Sequence, residues 1–312
     1  MAKSIPILDY RQLTSASPSD VAKFSEEAGK ALTEVGFFAL SHHGIPEEFT
    51  DRCYRHCHDL FALPEGDKKA YEIDELKGQR GYTSFGREHA KGSNHPDLKE
   101  FWHVGQEDPR AKGYAYPENI WPGHSQDFKP VMVELFRKLE NLALDLLKAC
   151  AIYIEEPEEI FCDIARNGNS ILRLIHYPPL SPNIPKGCVR AAAHEDINLI
   201  TLLVDATESG LEILSEGEWV PVVTPKGCII VDSGDMLQNI TNGLYKATTH
   251  RVVNPVNSNG SRYSMPFFVH AQSGAALDPL PSCLKKTGER KFPNITAGEF
   301  LSQRLREIGL DS

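Results

Sequence analysis

The sequence predicts a mainly β protein whose core is flanked by helices, and three observations carry that reading. From Ile171 onward, short apolar runs alternate with Gly, Pro, Asn and Ser, the rhythm of an all-β sandwich or barrel. Ahead of that region the apolar residues recur at helical spacing instead. After the bend Asp278-Pro279-Leu280-Pro281 the chain closes on one more helical stripe. At 312 residues the chain is long enough for one large β-core domain with helical elaboration, or at most two ordinary domains. No repeat, low-complexity stretch or flexible linker divides it.

The elements follow in order. Met1 to Tyr10 reads as an opening strand, with charge arriving too early for a signal peptide. Ser17 is placed to cap a helix with Pro18 at its first position, and Val21, Phe24, Ala28, Leu32 and Val35 make its apolar stripe up to Gly36. A second helix follows Pro46 and ends at Leu63-Pro64. A third, from Asp127 to Ile154, carries Val131, Leu135, Leu139, Leu142 and Leu146 at helical spacing and is expected to back the sheet. Thr296-Ala297-Gly298-Glu299 is a capping box opening the final helix, with Phe300, Leu301, Leu305 and Ile308 on one face. That helix is expected to lie across the open end of the β-core as a lid, the outer surface being its alternative seat.

Charge and cysteine usage exclude several classes. A formal net charge of −10 argues against a nucleic-acid partner, whose phosphates demand a basic face. No run is apolar enough to span a membrane, so no membrane partner is expected. Seven scattered cysteines are an odd number and read as thiols of a reducing compartment, which makes the cytoplasm the expected location. Cys53, His56 and Cys57, with His58 beside them, have helical ligand spacing, but no second pair completes a zinc site. Their segment, with Phe49, Leu60 and Phe61, reads as an amphipathic helix packed on a core.

The chemistry concentrates around His194-Glu195-Asp196. Residues two apart on an extended chain face the same way, so His194 and Asp196 can grip one metal from one strand. His250, on the strand-like run Lys246 to Val253 behind the turn Thr241-Asn242-Gly243, is the candidate third ligand. Two imidazoles and one carboxylate hold non-haem Fe(II) while leaving positions open. A His-x-Asp pair alone arises readily by chance, and a second one, His95-Pro96-Asp97, lies in turn chemistry and reads as loop. Arg262 and Ser264 repeat the two-residue step on the later strand Arg262 to Val269, where a guanidinium and a hydroxyl on one face suit a carboxylate. Asp232 and Asp235 read as turn stabilisers.

These residues carry a resemblance. From Gly210-Leu211-Glu212-Ile213 through Glu218-Trp219-Val220-Pro221, Gly234-Asp235-Met236-Leu237-Gln238, His250-Arg251-Val252 and Arg262-Tyr263-Ser264, the chain resembles the isopenicillin-N-synthase-like branch of the Fe(II)/2-oxoglutarate-dependent dioxygenases. Gly36-Phe37-Phe38-Ala39-Leu40-Ser41-His42-His43-Gly44-Ile45-Pro46 and Asp97-Leu98-Lys99-Glu100 are similar to segments of that family's amino-terminal half, so the resemblance covers almost the whole length. It implies a distorted double-stranded β-helix, or jelly roll, in 166–275, a helical and strand region in 1–165 and a tail helix in 276–312, all one compact unit. It also implies that His194, Asp196 and His250 ligate Fe(II), that Arg262 and Ser264 clamp the distal carboxylate of 2-oxoglutarate, and that the phenol of Tyr177 joins them. Two positions before Tyr177, where many relatives carry Asn, this chain has Ile175; Glu195 stands between the ligands where plant relatives often carry Thr.

The implied reaction consumes O2 and 2-oxoglutarate, releases succinate and carbon dioxide, and oxidises a small-molecule substrate, with hydroxylation as the default outcome. Family topology nominates Tyr82, Arg87, His103 and Phe268 around the substrate. Two other readings share the fold. One is an oxidase that does not use 2-oxoglutarate, like isopenicillin N synthase or aminocyclopropane-carboxylate oxidase, although Gln303 inside the last helix is no convincing counterpart of the extra Gln ligand of the former. The other is a non-catalytic jelly-roll binding protein, which would have no chemical need of all three ligands together.

Overall fold

The computed structural model describes residues 5–88, 96–107, 116–180, 188–204, 206–254 and 260–307. Two sheets form the core of these residues. One has eight strands in the order β1 (Ile7–Asp9), β2 (Phe37–Ser41), β10 (Ile229–Ser233), β7 (Ile200–Val204), β12 (Arg262–Val269), β5 (Ile171–Tyr177), β4 (Glu100–Val104), β3 (Gly81–Thr83). The other has four, in the order β6 (Ala191–His194), β11 (His250–Val252), β8 (Leu211–Ser215), β9 (Glu218–Pro221). The chain passes repeatedly between the two sheets, and the open mouth between them holds the site.

The helices are α1 (Tyr10–Leu13), α2 (Pro18–Glu34), α3 (Glu47–Phe61), α4 (Glu65–Lys69), α5 (Phe128–Tyr153), α6 (Ile160–Ala165), α7 (Asp235–Ile240), α8 (Pro281–Thr287) and α9 (Ala297–Glu307). Pro18 and Pro46 stand where the helical stripes begin, and α5 runs one residue short of the expected Asp127 and Ile154 at each end. The buried face of α5 packs on the eight-stranded sheet, with Phe136 edge-on to Phe267 of β12 at 4.9 Å. The capping box forms as its sequence predicts: the Glu299 amide donates to Thr296 Oγ1 at 3.3 Å and the Thr296 amide to Glu299 Oε2 at 3.0 Å.

The strand that the sequence assigns to both His194 and Asp196 is shorter than expected. β6 ends at His194, and Asp196 lies in the bend that carries the chain to β7 in the other sheet. The pair therefore grips from a corner rather than from a straight strand. Cys53 and Cys57 are buried among the apolar residues of α3, and burial holds the Cys57 thiol well above its ordinary range, so neither is poised as a metal ligand. His95 lies outside the described residues; its neighbour Asp97 accepts the Ala192 amide at 3.0 Å and pairs with Lys99. All seven cysteines are free and buried. Among the described residues no helix is long and apolar enough to cross a membrane.

Candidate metal centre and its two chambers

Register brings the distant ligand home. β11 pairs antiparallel with β6 so that His250 lies directly opposite His194, their rings 4.4 Å apart. Asp196 Oδ1 is 3.8 Å from His194 Nε2 and 3.7 Å from His250 Nε2. The three donor atoms lie within 4.8 Å of one another, and no other such group occurs among the described residues.

Each ligand is held in the form a metal needs. His194 Nδ1 lies 2.7 Å from the Ala192 carbonyl and His250 Nδ1 3.1 Å from the Thr248 carbonyl. A ring nitrogen facing a carbonyl must be the protonated one, which leaves each Nε2 as a lone pair. Burial, then the neighbouring His194, pushes the His250 imidazolium down to about 4, so the ring is neutral at physiological pH. Thr201 Oγ1 donates to Asp196 Oδ2 while Asn198 donates to Thr201 Oγ1 at 2.8 Å, turning Oδ1 toward the imidazoles. Such a donor set fits a mononuclear Fe(II) with open positions.

Two chambers meet at this triad. The inner one, about 70 Å³, has Tyr177, Arg262 and Ser264 on its wall together with Ile175 and Asp232. Arg262 is 2% exposed, its Nε donates to the Glu208 carbonyl at 3.0 Å, and its Nη1 has no hydrogen-bond partner. No carboxylate among the described residues pairs with it, and the Tyr177 ring lies 5.0 Å from its guanidinium carbon. A buried cation with an orphaned donor, beside a hydroxyl and a phenol, fits the distal carboxylate of a dicarboxylic cosubstrate. Asp232 corrects the turn assignment: it lies on β10, and burial, then Asp196, raises its carboxyl well above the usual range. Asp235 does open α7, but its carboxylate is occupied by Arg304 of α9 at 3.0 Å.

The outer chamber, about 460 Å³, is the candidate substrate pocket. Leu301, Arg304 and Leu305 of α9 form part of its wall, so the tail helix lies across the mouth as the lid expectation holds. His103 and Phe268 are also on the wall, but Tyr82 and Arg87 are not. β3 pairs with β4 so that Tyr82 stands opposite Trp102, on the face turned from the chamber, where its hydroxyl donates to the Lys68-paired Glu100. Arg87 pairs with Glu72 at 2.9 Å and Asp74 at 2.7 Å, an exposed arrangement. Gln303 faces solvent and bonds Glu307, so it takes no part in the metal centre.

Sequence reasoning misses an ionic cluster on this wall. Lys99 lies 2.7 Å from Asp97 and 3.4 Å from Glu88, and Arg173 lies 3.2 Å from Glu88. Burial alone would raise Glu88, but Arg173 and Lys99 outweigh it and hold the carboxyl at about 2. Arg173 is stacked between Phe101 and Phe268, 4.3 Å and 5.2 Å from the ring centroids, and its Nε donates to His103 Nε2 at 2.5 Å. His103 Nδ1 faces the Gly78 carbonyl at 2.7 Å, so His103 is neutral and fully occupied. The one signal available was parity: the two-residue step back from Tyr177 runs through Ile175 to Arg173, on one face of β5.

Comparison with known proteins agrees with this geometry. Residues 168–271 match the family model of the 2OG-Fe(II) oxygenase superfamily, and residues 5–124 match that of the non-haem dioxygenase in morphine synthesis N-terminal region. The chain is 31% identical to the 2-oxoglutarate-dependent dioxygenase traH of Penicillium crustosum, over 89% of this chain and 88% of that one. Among solved structures it resembles a 2OG-Fe(II) oxygenase family protein of Caulobacter crescentus, with 37% identity, a TM-score of 0.87 and coverage of 98% and 99% of the two chains. It also resembles a full-length Neurospora crassa protein crystallised in complex with alpha-KG and thymine, with 27% identity, a TM-score of 0.86 and coverage of 97% and 96%.

Proposed function

The chain belongs to the 2OG-Fe(II) oxygenase superfamily, and from that premise we propose that His194, Asp196 and His250 hold the iron, that Tyr177, Arg262 and Ser264 seat 2-oxoglutarate, and that a small molecule is oxidised in the outer chamber. Membership makes the protein an Fe(II)- and 2-oxoglutarate-dependent oxygenase with a jelly-roll core. When bound, the iron supplies oxygen activation coupled to the conversion of 2-oxoglutarate to succinate and CO2. The observation that carries the residue assignment is the orphaned Nη1 of Arg262, buried in the chamber that adjoins the triad.

The protein's own residues do the rest. The carbonyls of Ala192 and Thr248 fix the two tautomers, and Thr201 fixes the carboxylate. Arg262 and Ser264 orient the cosubstrate, while α9 and the apolar walls exclude water from the reacting space. Hydroxylation is the outcome we assign. The segments 1–165, 166–275 and 276–312 work as one unit on this reading, supported by an eight-stranded sheet that draws strands from the first two and by α9 on the pocket wall. Seven buried free thiols support a cytoplasmic location.

The test is anaerobic titration of the Fe(II)-loaded protein with 2-oxoglutarate, following the visible metal-to-ligand charge-transfer band. The band is expected in the wild type and weakened in Arg262→Ala. An unchanged band in the variant overturns the clamp assignment, and its absence in an iron-loaded wild type overturns the cosubstrate site.

A further inference from the structure

One face of the β5 and β12 pair runs through both chambers. The register sets Arg262 opposite Tyr177, Ser264 opposite Ile175 and Phe268 opposite Ile171. The paired register ends at Phe268 and Ile171, and just past the ends of both strands Asn169 and His270 both lie on the wall of the outer chamber. The backbones are held close there. The His270 amide donates to Ser170 Oγ at 3.2 Å, and a Cβ on Gly168 would stand 1.9 Å from the His270 carbonyl oxygen.

These two side chains are buried, at 5% and 7% exposure, and have unspent hydrogen-bonding capacity. Asn169 Oδ1 accepts from Arg80 Nη2 at 3.0 Å, and no group among the described residues takes up its Nδ2 hydrogens. Arg80 is itself 1% exposed with no carboxylate partner among the described residues, and Gly105 clears its space, since a Cβ there would stand 2.1 Å from the guanidinium carbon. That positive charge behind the amide fixes the amide's orientation and strengthens its N–H donors. His270 Nδ1 is sealed from solvent without a partner. Burial lowers its imidazolium to about 4, so the ring offers one donor and one acceptor.

The cations of the wall point the same way. Lys99, Arg173 and Arg304 are each ion-paired with wall carboxylates, and Lys77 stands exposed at the rim. The wall cations Lys99, Arg173 and Arg304 already have carboxylates, and Arg80, which has none among the described residues, stands behind Asn169 and not on the wall, so a neutral carbonyl and N–H edge matches the open amide donor and the neutral imidazole. Phe268, two residues before His270 on the same face, offers a flat apolar surface beside them.

Resting on the oxygenase reading, we infer that Asn169 and His270 form the specificity-determining end of the pocket and select an uncharged substrate with an amide, lactam or imide edge. Asn169 donates to the carbonyl, His270 takes the adjacent N–H, and Arg80 is a positioning residue that acts through Asn169.

Saturation-transfer NMR on the protein loaded with Zn(II) and 2-oxoglutarate tests this with three matched probes: benzamide, benzoate and N,N-dimethylbenzamide. Zn(II) keeps the sample diamagnetic. Benzamide should bind at least tenfold more tightly than either companion. Asn169→Asp keeps a partner for Arg80 while removing the donor, and His270→Phe keeps the ring's bulk; each should cost benzamide tenfold or more while leaving 2-oxoglutarate affinity within twofold. Benzoate binding as tightly as benzamide, benzamide failing to bind the wild type at millimolar concentration, or both variants binding it unchanged would each overturn the inference. Loss of 2-oxoglutarate binding by the wild type itself would instead overturn the oxygenase reading beneath it.

Discussion

Replacing Arg262 with Met should have opposite effects on ligand binding and on the stability of the empty protein. Arg262 is 2% exposed and has a backbone carbonyl but no carboxylate as partner among the described residues. A buried cation without a counter-ion carries a desolvation cost of several kcal/mol. An apolar side chain of similar length relieves that cost, so Arg262→Met should leave the melting temperature of the ligand-free protein unchanged or raise it. On the proposed assignment the cosubstrate supplies the missing counter-ion. Removing one partner of a buried hydrogen-bonded charge pair costs about 2–5 kcal/mol, or roughly 30-fold to several thousand-fold in dissociation constant. In the wild type, 2-oxoglutarate at about 100 times its dissociation constant should add about 2.7 kcal/mol of stability. In Arg262→Met that gain should fall to about 0.9 kcal/mol or less at the same concentration. Differential scanning calorimetry of both metal-loaded proteins, with and without 2-oxoglutarate, reads all four states. A variant that melts several degrees lower when empty, yet retains the full ligand shift, would refute the reasoning.

Four further outcomes are expected. Thr201→Val removes the donor that turns the Asp196 carboxylate, and should weaken metal binding about 10- to 100-fold in a chelator competition while the fold persists. Lys99→Met breaks the buried cluster with Asp97 and Glu88 and should cost about 3–5 kcal/mol in urea denaturation, far more than an exposed pair such as Lys23 with Glu27. Glu88 is held at about 2 against an ordinary 4.5, so its contribution is complete above pH 4.5 and is lost as pH falls toward 2; in Lys99→Met that loss should be smaller and should be complete at a higher pH. His270 falls from 6.5 to about 4, worth about 3 kcal/mol at 1.36 kcal/mol per pH unit, and being depressed it favours folding fully above pH 6.5 and progressively less down to pH 4. His270→Phe should flatten that part of the stability profile. Finally, Arg304→Ala frees α9 from Asp235 and should speed amide exchange in residues 297–307 roughly tenfold, from a charged hydrogen bond worth about 1.5 kcal/mol, with other elements unchanged.

The elements legible in the sequence are those whose signals are local. The stripes of α2, α3 and α5, the capping box of α9 and the strand Arg262 to Val269 each declare themselves within a few turns or alternations. The metal residues were legible because three ligands, two imidazoles and a carboxylate, and a nearby Arg-x-Ser pair occur in one order, and the structure brings the three donor atoms together. What local patterns cannot carry is the parity of one strand against another. Tyr82 and His103 look equally eligible in sequence, yet the β3 and β4 register turns Tyr82 to the Glu100 side and His103 to the chamber. Asn169 and Arg173 acquire meaning only through Arg80 and Glu88, 89 and 85 residues earlier in the chain. Asp232 reads as a turn stabiliser in the sequence, whereas β10 extends one residue past it to Ser233.

The shared face of β5 and β12 has a consequence for where a substrate is attacked. From Ser264 to His270, just past the end of β12, the chain covers six residues, about 20 Å at some 3.4 Å per residue, and His194 and Asp196 line both of the chambers it passes. Hydrogen bonds on both edges make this length nearly inextensible. On the proposed assignments it would work as a ruler with a fixed zero at Arg262 and Ser264 and a second mark at Asn169 and His270. The carbon brought to the metal would then be set by its distance from the group held at the second mark. Lengthening a substrate by one methylene would move the oxidised position along its chain, whereas exchanging residues at 169, 171, 268 or 270 would change which molecules are measured without resetting the zero.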